Sequence, residues 1–241
     1  MSAKSNESKL FAAGFDAAAL RPAPGQVVAL LGGQAEGRSA LLRALAGLDA
    51  EADPVPTAEL GLLADRPGFF PWLNLAENLA FGLAGTTPFA REGLIANALV
   101  RAGLGGVADR RPGALSPAEL QGLAIARLSL LRPKLLLVDA PFAALDDEAQ
   151  ERLAEPLADL CRQGRPAVAI ATGSVEEAVR LADRILVLPQ APGPLAFRLD
   201  NLLPYPRDPR SVGFVALRRE LRHSLDKERG AALPEQAEAA A

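Results

Sequence analysis

The feature that most constrains the fold is a set of short apolar runs, each followed by a helical pattern. The runs are Gln26 to Leu31, Leu135 to Val138, Ala167 to Ala171 and Arg184 to Leu188. Runs without polar alternation are typical of strands that are buried on both faces. Helical patterns at Arg38 to Leu48, Asp146 to Arg162 and Val175 to Ala182 separate them. This alternation predicts an α/β fold with a parallel sheet between layers of helices.

Composition excludes several classes of site. The 241 residues include one histidine (His223) and one cysteine (Cys161), so a disulfide framework, a zinc finger or a multi-histidine metal site cannot form. A net charge of −3 gives no general attraction to nucleic acid, and we expect no nucleic-acid partner. The longest uncharged run, Pro22 to Ala35, has 14 residues, whereas a membrane span needs roughly 18 to 20. No signal-peptide pattern opens the chain, so the sequence predicts a cytoplasmic protein.

A glycine-rich segment follows the first apolar run. Gly32, Gly37 and Ser39 fit the phosphate-loop pattern G-x-x-x-x-G-K-[ST], but Arg38 stands where that pattern has lysine. A strand, a glycine-rich loop and a helix in this order let backbone N–H groups face a phosphate. Taken alone, the segment is equally compatible with a strand-to-helix turn that binds no ligand.

Six segments, in one order between residues 20 and 225, identify the family. After the glycine-rich loop come Phe70-Pro71-Trp72-Leu73, Leu115-Ser116, Leu123 to Arg127, Leu135 to Asp139 with Ala144-Leu145-Asp146, and Val175 to Ala178. This order resembles the nucleotide-binding subunit of an ABC transporter. Pro204 to Asp208 and Phe214 to Glu220 are similar to the branch that imports nitrate, sulfonates and taurine.

The resemblance implies a P-loop NTPase fold with a RecA-like parallel sheet. It implies one nucleotide-binding domain over 1–241, a helical subdomain at 66–127, a reduced antiparallel subdomain, and a C-terminal extension and tail at 199–241. ATP and Mg²⁺ are the implied ligands. The implied nucleotide-binding residues are Gly32, Gly33, Gln34, Gly37, Arg38, Ser39 and Ala40, with Ser39 and Asp139 at the metal, Leu115 and Ser116 in the signature, and Asp146 in the following LD turn.

Where the family carries its hydrolytic groups, this chain departs from the pattern. Ala140 replaces the glutamate that polarises water, Gly173 the switch histidine, and Asp65 the glutamine that joins metal to water. Ala140 has a methyl group with no proton-accepting atom, and the resemblance implies that the general base, the γ-phosphate sensor and the water ligand of the family are all absent from this chain. Ala35 and Glu36 also alter the loop, because a Cβ disfavours positive φ and a carboxylate opposes a triphosphate. We therefore predict weakened or absent nucleotide binding and no catalytic residue.

Two further regions differ from the family pattern. Ser116-Pro117-Ala118-Glu119 replaces Ser-Gly-Gly-Gln and predicts a capping box at a helix start. In one interpretation it only starts a helix; in the other, Ser116 also meets a nucleotide held by a partner. The segments Lys9 to Gly25 and Leu48 to Asp65 are too short for the usual antiparallel hairpins. Phe11 and Phe15 are the candidates for stacking on adenine.

Three hypotheses follow. The first is a degenerate subunit of an importer that docks on a permease through Phe69 to Leu83 and pairs with a second nucleotide-binding subunit, identical or different. Such a subunit is peripheral on the inner face of the cell membrane. The second is a slow but genuine transport ATPase. The third is an adaptor or regulator that keeps the ABC scaffold for protein contacts.

Overall fold

The structure is a computed structural model that describes residues 21–45, 59–83, 86–189 and 195–238, with the side chains of Glu36 and of 229–238 not described. The candidate adenine-stacking residues Phe11 and Phe15, and most of the two shortened hairpin segments, lie outside this part. The chain divides into two units. One comprises Met1–Thr57 with Ala167–Ala241, and the other comprises Ala58–Pro166.

Three parallel strands form the centre of the first unit. Strand β1 (Val27–Gly32) lies between β4 (Ala167–Thr172) and β5 (Arg184–Leu188), and β6 (Phe197–Asp200) pairs antiparallel with β5. Every residue of β1 is buried, which is the reason that its sequence has no polar alternation. The helices of this unit are α1 (Ala35–Leu45), α6 (Val175–Leu181) and α7 (Val212–Glu238).

The second unit combines two strands with four helices. Strands β2 (Leu60–Ala64) and β3 (Leu135–Asp139) pair in parallel, with Ala64 opposite Asp139. The helices are α2 (Leu75–Ala80), α3 (Pro88–Arg101), α4 (Pro117–Leu131) and α5 (Asp147–Arg162), with a 3₁₀ turn at Pro112–Ala114. The strand predicted at 135–138 and the helix predicted at 146–162 are both confirmed.

A cluster of apolar side chains joins α2, α3 and α4. Its buried members are Leu75, Leu79, Leu83, Ile95, Ala98, Leu99, Leu104, Leu123 and Ala126. These residues give the helices between Leu75 and Leu131 a core of their own. That core is what an inserted helical subdomain requires, and the bounds 66–127 remain a prediction. Within the described ranges, no helix is long and apolar enough to cross a membrane.

Candidate functional site

The glycine-rich segment is a short link between β1 and α1. Gly32 and Gly33 have φ values of +80° and +61°, which are left-handed conformations that glycine adopts readily. Helix α1 then starts at Ala35, so the predicted start at Arg38 is wrong by three residues. Alanine and glutamate favour helix, and the Arg38 N–H donates to the Gln34 carbonyl at 3.2 Å. A backbone donor expected to face phosphate is therefore used inside the helix.

Arg38 folds back onto the start of this segment. Its Nη1 donates to the carbonyl oxygens of Gly32 at 2.6 Å and Gly33 at 3.0 Å. The guanidinium is thus held on the loop by two backbone acceptors, and these three predicted site residues lie together. Of the other predicted nucleotide-binding residues, Gln34 is exposed, Ser39 is half-buried, and Gly37 and Ala40 are buried.

The predicted metal-binding residues both offer oxygen. Ser39 and Asp139 are half-buried, Ser39 in α1 of the first unit and Asp139 at the end of β3 in the second. Across the described part of the chain, no group of three or more His, Cys, Asp or Glu side chains could hold a metal ion. Hydroxyl and carboxylate oxygens suit Mg²⁺, which keeps several waters and takes further ligands from phosphate. Each of the two residues thus offers one oxygen of a kind that suits Mg²⁺, and their joint role at a metal remains a prediction.

The three positions that lack hydrolytic groups follow the ends of strands. Asp65 and Ala140 come directly after the paired residues Ala64 and Asp139, so they lie at the same edge of the β2–β3 pair. Ala140 has a φ of +45°, and its side chain is a methyl group without a proton acceptor. Gly173 follows β4 in the first unit. Asp65 and Gly173 are exposed.

Side-chain hydrogen bonds hold the turn around Gly173. The Thr172 hydroxyl accepts from the Ser174 N–H at 2.9 Å and donates to Glu177, and the Ser174 hydroxyl accepts from the Glu177 N–H at 3.2 Å. Burial raises the pKa of Glu177, against the opposing effect of the Thr172 hydrogen bond. The turn is therefore held at a fixed place beside β1, since Thr172 pairs with Leu31.

Glu177 makes the stability of the first unit depend on pH. Because its folded-state pKa lies above the ordinary 4.5 of glutamate, its contribution is fully present below pH 4.5 and is lost as pH rises through the folded-state value. Glu177→Gln removes the ionisation and keeps an oxygen for the Thr172 hydroxyl. We expect the free energy of unfolding of this variant to gain on wild type from pH 4 towards neutrality, measured by urea denaturation. A difference that stays constant with pH contradicts the assignment.

The signature segment forms the predicted capping box. The Ser116 N–H and hydroxyl donate to the Glu119 carboxylate at 2.7 and 2.8 Å, and the Glu119 N–H donates to the Ser116 hydroxyl at 3.3 Å. The backbone and then the side-chain hydrogen bond from Ser116 lower the pKa of Glu119. Ser116 thus starts α4 with Pro117 as the first helical residue. Its role towards a partner's nucleotide remains a prediction.

The signature and the LD turn share one cavity in the second unit. Ser116, Asp146 and Arg152 are among the residues that line its 280 Å³, while Leu115 beside it is half-buried. The Asp146 carboxylate accepts from the Ala149 N–H at 2.8 Å and caps α5. Both predicted residues therefore have a structural role at a helix start, and the fold brings the two starts together.

An exposed group of aromatic side chains lies where permease docking is predicted. The Phe70 ring contacts Phe81 at a centroid distance of 4.6 Å and Trp72 at 5.5 Å. Trp72 and Phe81 are 67% and 70% exposed. We name Phe70, Trp72 and Phe81 the aromatic patch. Aromatic side chains that remain this exposed commonly mark a surface for another protein.

A buried asparagine, to which the sequence analysis assigns no individual role, supports this patch. The Asn78 side chain accepts from the Phe70 N–H at 2.9 Å and donates to the carbonyls of Phe70, Leu73 and Asn74. It is 1% exposed, and an amide buried to this degree requires such partners. The signal in the sequence is a polar residue directly before apolar Leu79 in a short helix. Arg127 lies over the ring of Phe69, the residue before Phe70, at 4.5 Å from its centroid.

Comparisons with known proteins agree with this geometry. Residues 15–143 match the ABC transporter family. The chain is 42% identical over 209 residues to "Aliphatic sulfonates import ATP-binding protein SsuB 1" of Pseudomonas fluorescens, covering 86% of this chain and 78% of that protein. It is 34% identical over 225 residues to "Bicarbonate transport ATP-binding protein CmpC" of a Synechocystis species, covering 85% of this chain and 34% of that protein.

Solved structures show the same fold. An ATP-binding cassette dimer in a post-hydrolysis state with ADP and inorganic phosphate superposes with a TM-score of 0.62 at 22% identity, covering 78% of this chain and 88% of that one. The cbiO1 protein of Clostridium perfringens, part of an ABC transporter complex, superposes with a TM-score of 0.64 at 22% identity, covering 83% of this chain and 85% of that one. The fold is that of a P-loop NTPase, as predicted.

This chain belongs to the ABC transporter family, and the resemblance drawn from its six segments is confirmed. The relatives described are named as an import ATP-binding protein and a transport ATP-binding protein.

Proposed function

We propose that this chain is the ATP-binding-type subunit of a bacterial importer for small anions of the sulfonate, nitrate and taurine class. Its own phosphate-loop site binds Mg-ATP weakly and does not hydrolyse it, and it supports a competent partner subunit. The importer assignment is supported by the relatives described above, which include sulfonate and bicarbonate proteins. The subunit is peripheral on the inner face of the membrane.

The observation that carries the catalytic part is the chemistry at the ends of β2, β3 and β4. Asp65, Ala140 and Gly173 stand where the water ligand, the general base and the phosphate sensor are expected. A methyl group and a hydrogen atom accept no proton, and loss of a general base alone costs about 10²- to 10⁴-fold in rate. The early start of α1 uses up a backbone donor and so weakens nucleotide binding. The Ser39 hydroxyl keeps the expected Mg²⁺ ligand, and weak binding is therefore favoured over none.

Docking on the permease is assigned to the aromatic patch. Trp72 and Phe81 offer apolar area at the surface, and Asn78 holds the loop that presents Phe70. Aromatic anchors with a fixed backbone lose little entropy on binding. The anion itself is recognised by other subunits of such a transporter.

Co-expression with the permease and a candidate ATPase subunit tests this function. The tagged chain is expected to retain both proteins through purification. Trp72→Ala with Phe81→Ala is expected to weaken permease retention at least about tenfold, since buried aromatic anchors commonly contribute about 2 kcal/mol or more. Phe89→Ala is the matched control, because Phe89 is 90% exposed and makes no ring contact among the described residues. Failure to retain either protein contradicts the proposal and favours an adaptor without transport.

A second function, a slow transport ATPase, is favoured by the retention of Ser39 and Asp139. It predicts Mg-ATP turnover that disappears in Ser39→Ala.

A further inference from the structure

The first unit exposes apolar side chains where its C-terminal helix begins. Leu202 and Val212 are 91% and 87% exposed, and Tyr205 and Val215 are 42% and 43% exposed. All four lie between the end of β6 and the first turn of α7. Apolar side chains that are clustered and exposed in this way commonly mark a surface that meets another molecule.

Buried polar side chains fix the loop that precedes α7. The Asn201 amide is 6% exposed and donates to two backbone carbonyls at 2.9 and 3.0 Å. The Arg207 guanidinium donates to the Leu203 carbonyl at 3.2 Å and to the Asp183 carboxylate at 3.0 Å. A Cβ atom built on Gly213 would lie 2.7 Å from Cδ2 of Leu203, so the loop lies against the start of α7. The exposed side chains are therefore presented by a fixed backbone, and their binding orders little additional chain.

Arginine side chains continue the same face of α7. Exposed residues follow one another there at intervals of three, four and three positions, which is one stripe of an α-helix, namely Val212, Val215, Arg219 and Arg222. Among the side chains that the structure describes, neither arginine has a salt-bridge partner. The stripe thus has an apolar end and a basic end. We name Leu202, Tyr205, Val212, Val215, Arg219 and Arg222 the C-terminal surface.

The exposed carboxylates near the C-terminal surface leave its basic end positive. Glu220 lies about 100° round the helix from its neighbour in the stripe. Asp208 is offset by the exposed side chain of Arg210. Asp226 lies one turn beyond Arg222, at the far side from the apolar end. Within the stripe, the two arginines therefore adjoin the apolar residues with no carboxylate between them.

We propose that the C-terminal surface binds an anionic lipid bilayer, with its apolar end at the boundary of the acyl chains and its arginines among the lipid phosphates. Apolar side chains beside basic ones are typical of segments that bind at a membrane interface. The polar region of one leaflet is roughly 5–8 Å thick. Arg219 lies about 10 Å along the helix axis from Val212, so its long side chain reaches this region when Val212 lies at the boundary.

The side chains of the C-terminal surface favour a bilayer over a protein partner. Leucine and valine are under-represented among the residues that dominate binding between proteins, whereas a bilayer accepts any apolar area that is inserted. The cytoplasmic leaflet supplies anionic lipid that complements the arginines. The inference adds a lipid contact to the proposed docking on a permease, and it takes from the proposed function only the side of the membrane.

Co-sedimentation of the purified full chain with lipid vesicles tests this proposal. One set of vesicles is pure phosphatidylcholine, and the other is an equal mixture of phosphatidylcholine and phosphatidylglycerol. Wild type is expected to bind the mixed vesicles at least about tenfold more tightly than the neutral ones. Raising the salt concentration from about 0.1 M to about 0.5 M is expected to remove most of this difference, because salt screens the charges.

Two double variants separate the basic end from the apolar end. Arg219→Gln with Arg222→Gln is expected to lower the partition coefficient onto mixed vesicles at least about tenfold. Leu202→Ser with Val212→Ser is expected to lower it to a similar extent, about tenfold, by removing the inserted area. The four side chains are exposed, so the melting temperatures are expected to stay at the wild-type value. Leu202→Ser alone replaces the second double variant if that variant melts early.

Matched controls exclude a general effect of exposed groups. Trp72→Ala with Phe81→Ala removes exposed apolar area at the aromatic patch and is expected to leave vesicle binding unchanged while permease retention falls. Glu220→Gln changes a charge beside the stripe and is expected not to weaken vesicle binding.

Three results overturn the proposal: no binding to the mixed vesicles, equal binding to both kinds of vesicle, or loss of binding in the aromatic-patch variant rather than in the two variants of the C-terminal surface. Permease retention is measured without vesicles, so the importer assignment succeeds or fails separately.

Discussion

Replacing Leu79 by alanine is expected to lower the free energy of unfolding of the second unit by about 2–5 kcal/mol. Leu79 is 1% exposed and lies in the apolar cluster that joins α2, α3 and α4. Removing its isobutyl group loses transfer free energy and leaves a cavity among helices that cannot fully close it. Chemical denaturation followed by the fluorescence of Trp72, the only tryptophan, reports this unit.

Leu94→Ala is the matched control for this prediction. It deletes the same atoms from α3 at a side chain that is 39% exposed, and a change within about 0.5 to 1 kcal/mol is expected. The consequence for function is specific, because α2 carries Asn78, which holds the aromatic patch. Under the proposed function, Leu79→Ala should therefore also weaken permease retention at denaturant concentrations near the midpoint of its unfolding, where the aromatic patch loses its support. Equal destabilisation by the two substitutions would contradict the assignment of this cluster as the core of the helical region.

Replacing Gly32 by alanine is expected to destabilise the first unit by about 2–4 kcal/mol. Its φ of +80° is unfavourable for alanine, and the new Cβ would lie 2.8 Å from Cδ2 of Leu225 and 3.2 Å from the Leu188 carbonyl oxygen. The leucine side chain can shift, whereas the backbone oxygen of β5 cannot. Urea denaturation followed by circular dichroism measures the loss.

Gly106→Ala separates strain from crowding. Gly106 has a φ of +83° and no atom within 4 Å of a built Cβ, so only the conformational cost of about 1 kcal/mol is expected. The difference between the two variants measures the close packing at the phosphate loop. If Gly106→Ala costs as much as Gly32→Ala, that packing contributes nothing.

The sequence predicts the buried strands well, because continuous apolar residues have few alternatives to a two-sided core. It fails at β2 and β6. In β2, Leu62 is exposed between buried neighbours, and β6 alternates half-buried and exposed residues at the antiparallel edge of β5. Short strands with exposed positions depend on their partners rather than on their own pattern.

Features of the candidate site that depend on neighbouring residues are predicted from the sequence better than features that depend on long-range contacts. The capping box at Ser116 needs only residues within three positions, and it forms as expected. Helix α1 starts three residues before the predicted Arg38 because the helix propensity of Ala35 and Glu36 outweighs the phosphate-loop pattern. A Cβ atom built on Gly173 would lie 3.7 Å from Nη2 of Arg38, and this proximity could not be predicted from either motif, since it depends on the register of β1 with β4.

Under the proposed function, the frame of a nucleotide-binding subunit persists without its hydrolytic groups. The aromatic patch and the shared cavity of Ser116 and Asp146 then serve contacts with other subunits, whereas Ala140 and Gly173 supply no hydrolytic group to this one. Any Mg-ATP turnover at this site would depend on Ser39, because its hydroxyl is the expected ligand of Mg²⁺.

The rate of steady-state phosphate release from Mg-ATP, measured for the purified chain and for its Ser39→Ala variant, reports hydrolysis at this subunit's own site. If that site is inactive, both proteins show the same background rate, while the partner subunit hydrolyses ATP under the same conditions. Phosphate release by wild type that is clearly above background and is lost in Ser39→Ala would instead establish a genuine ATPase.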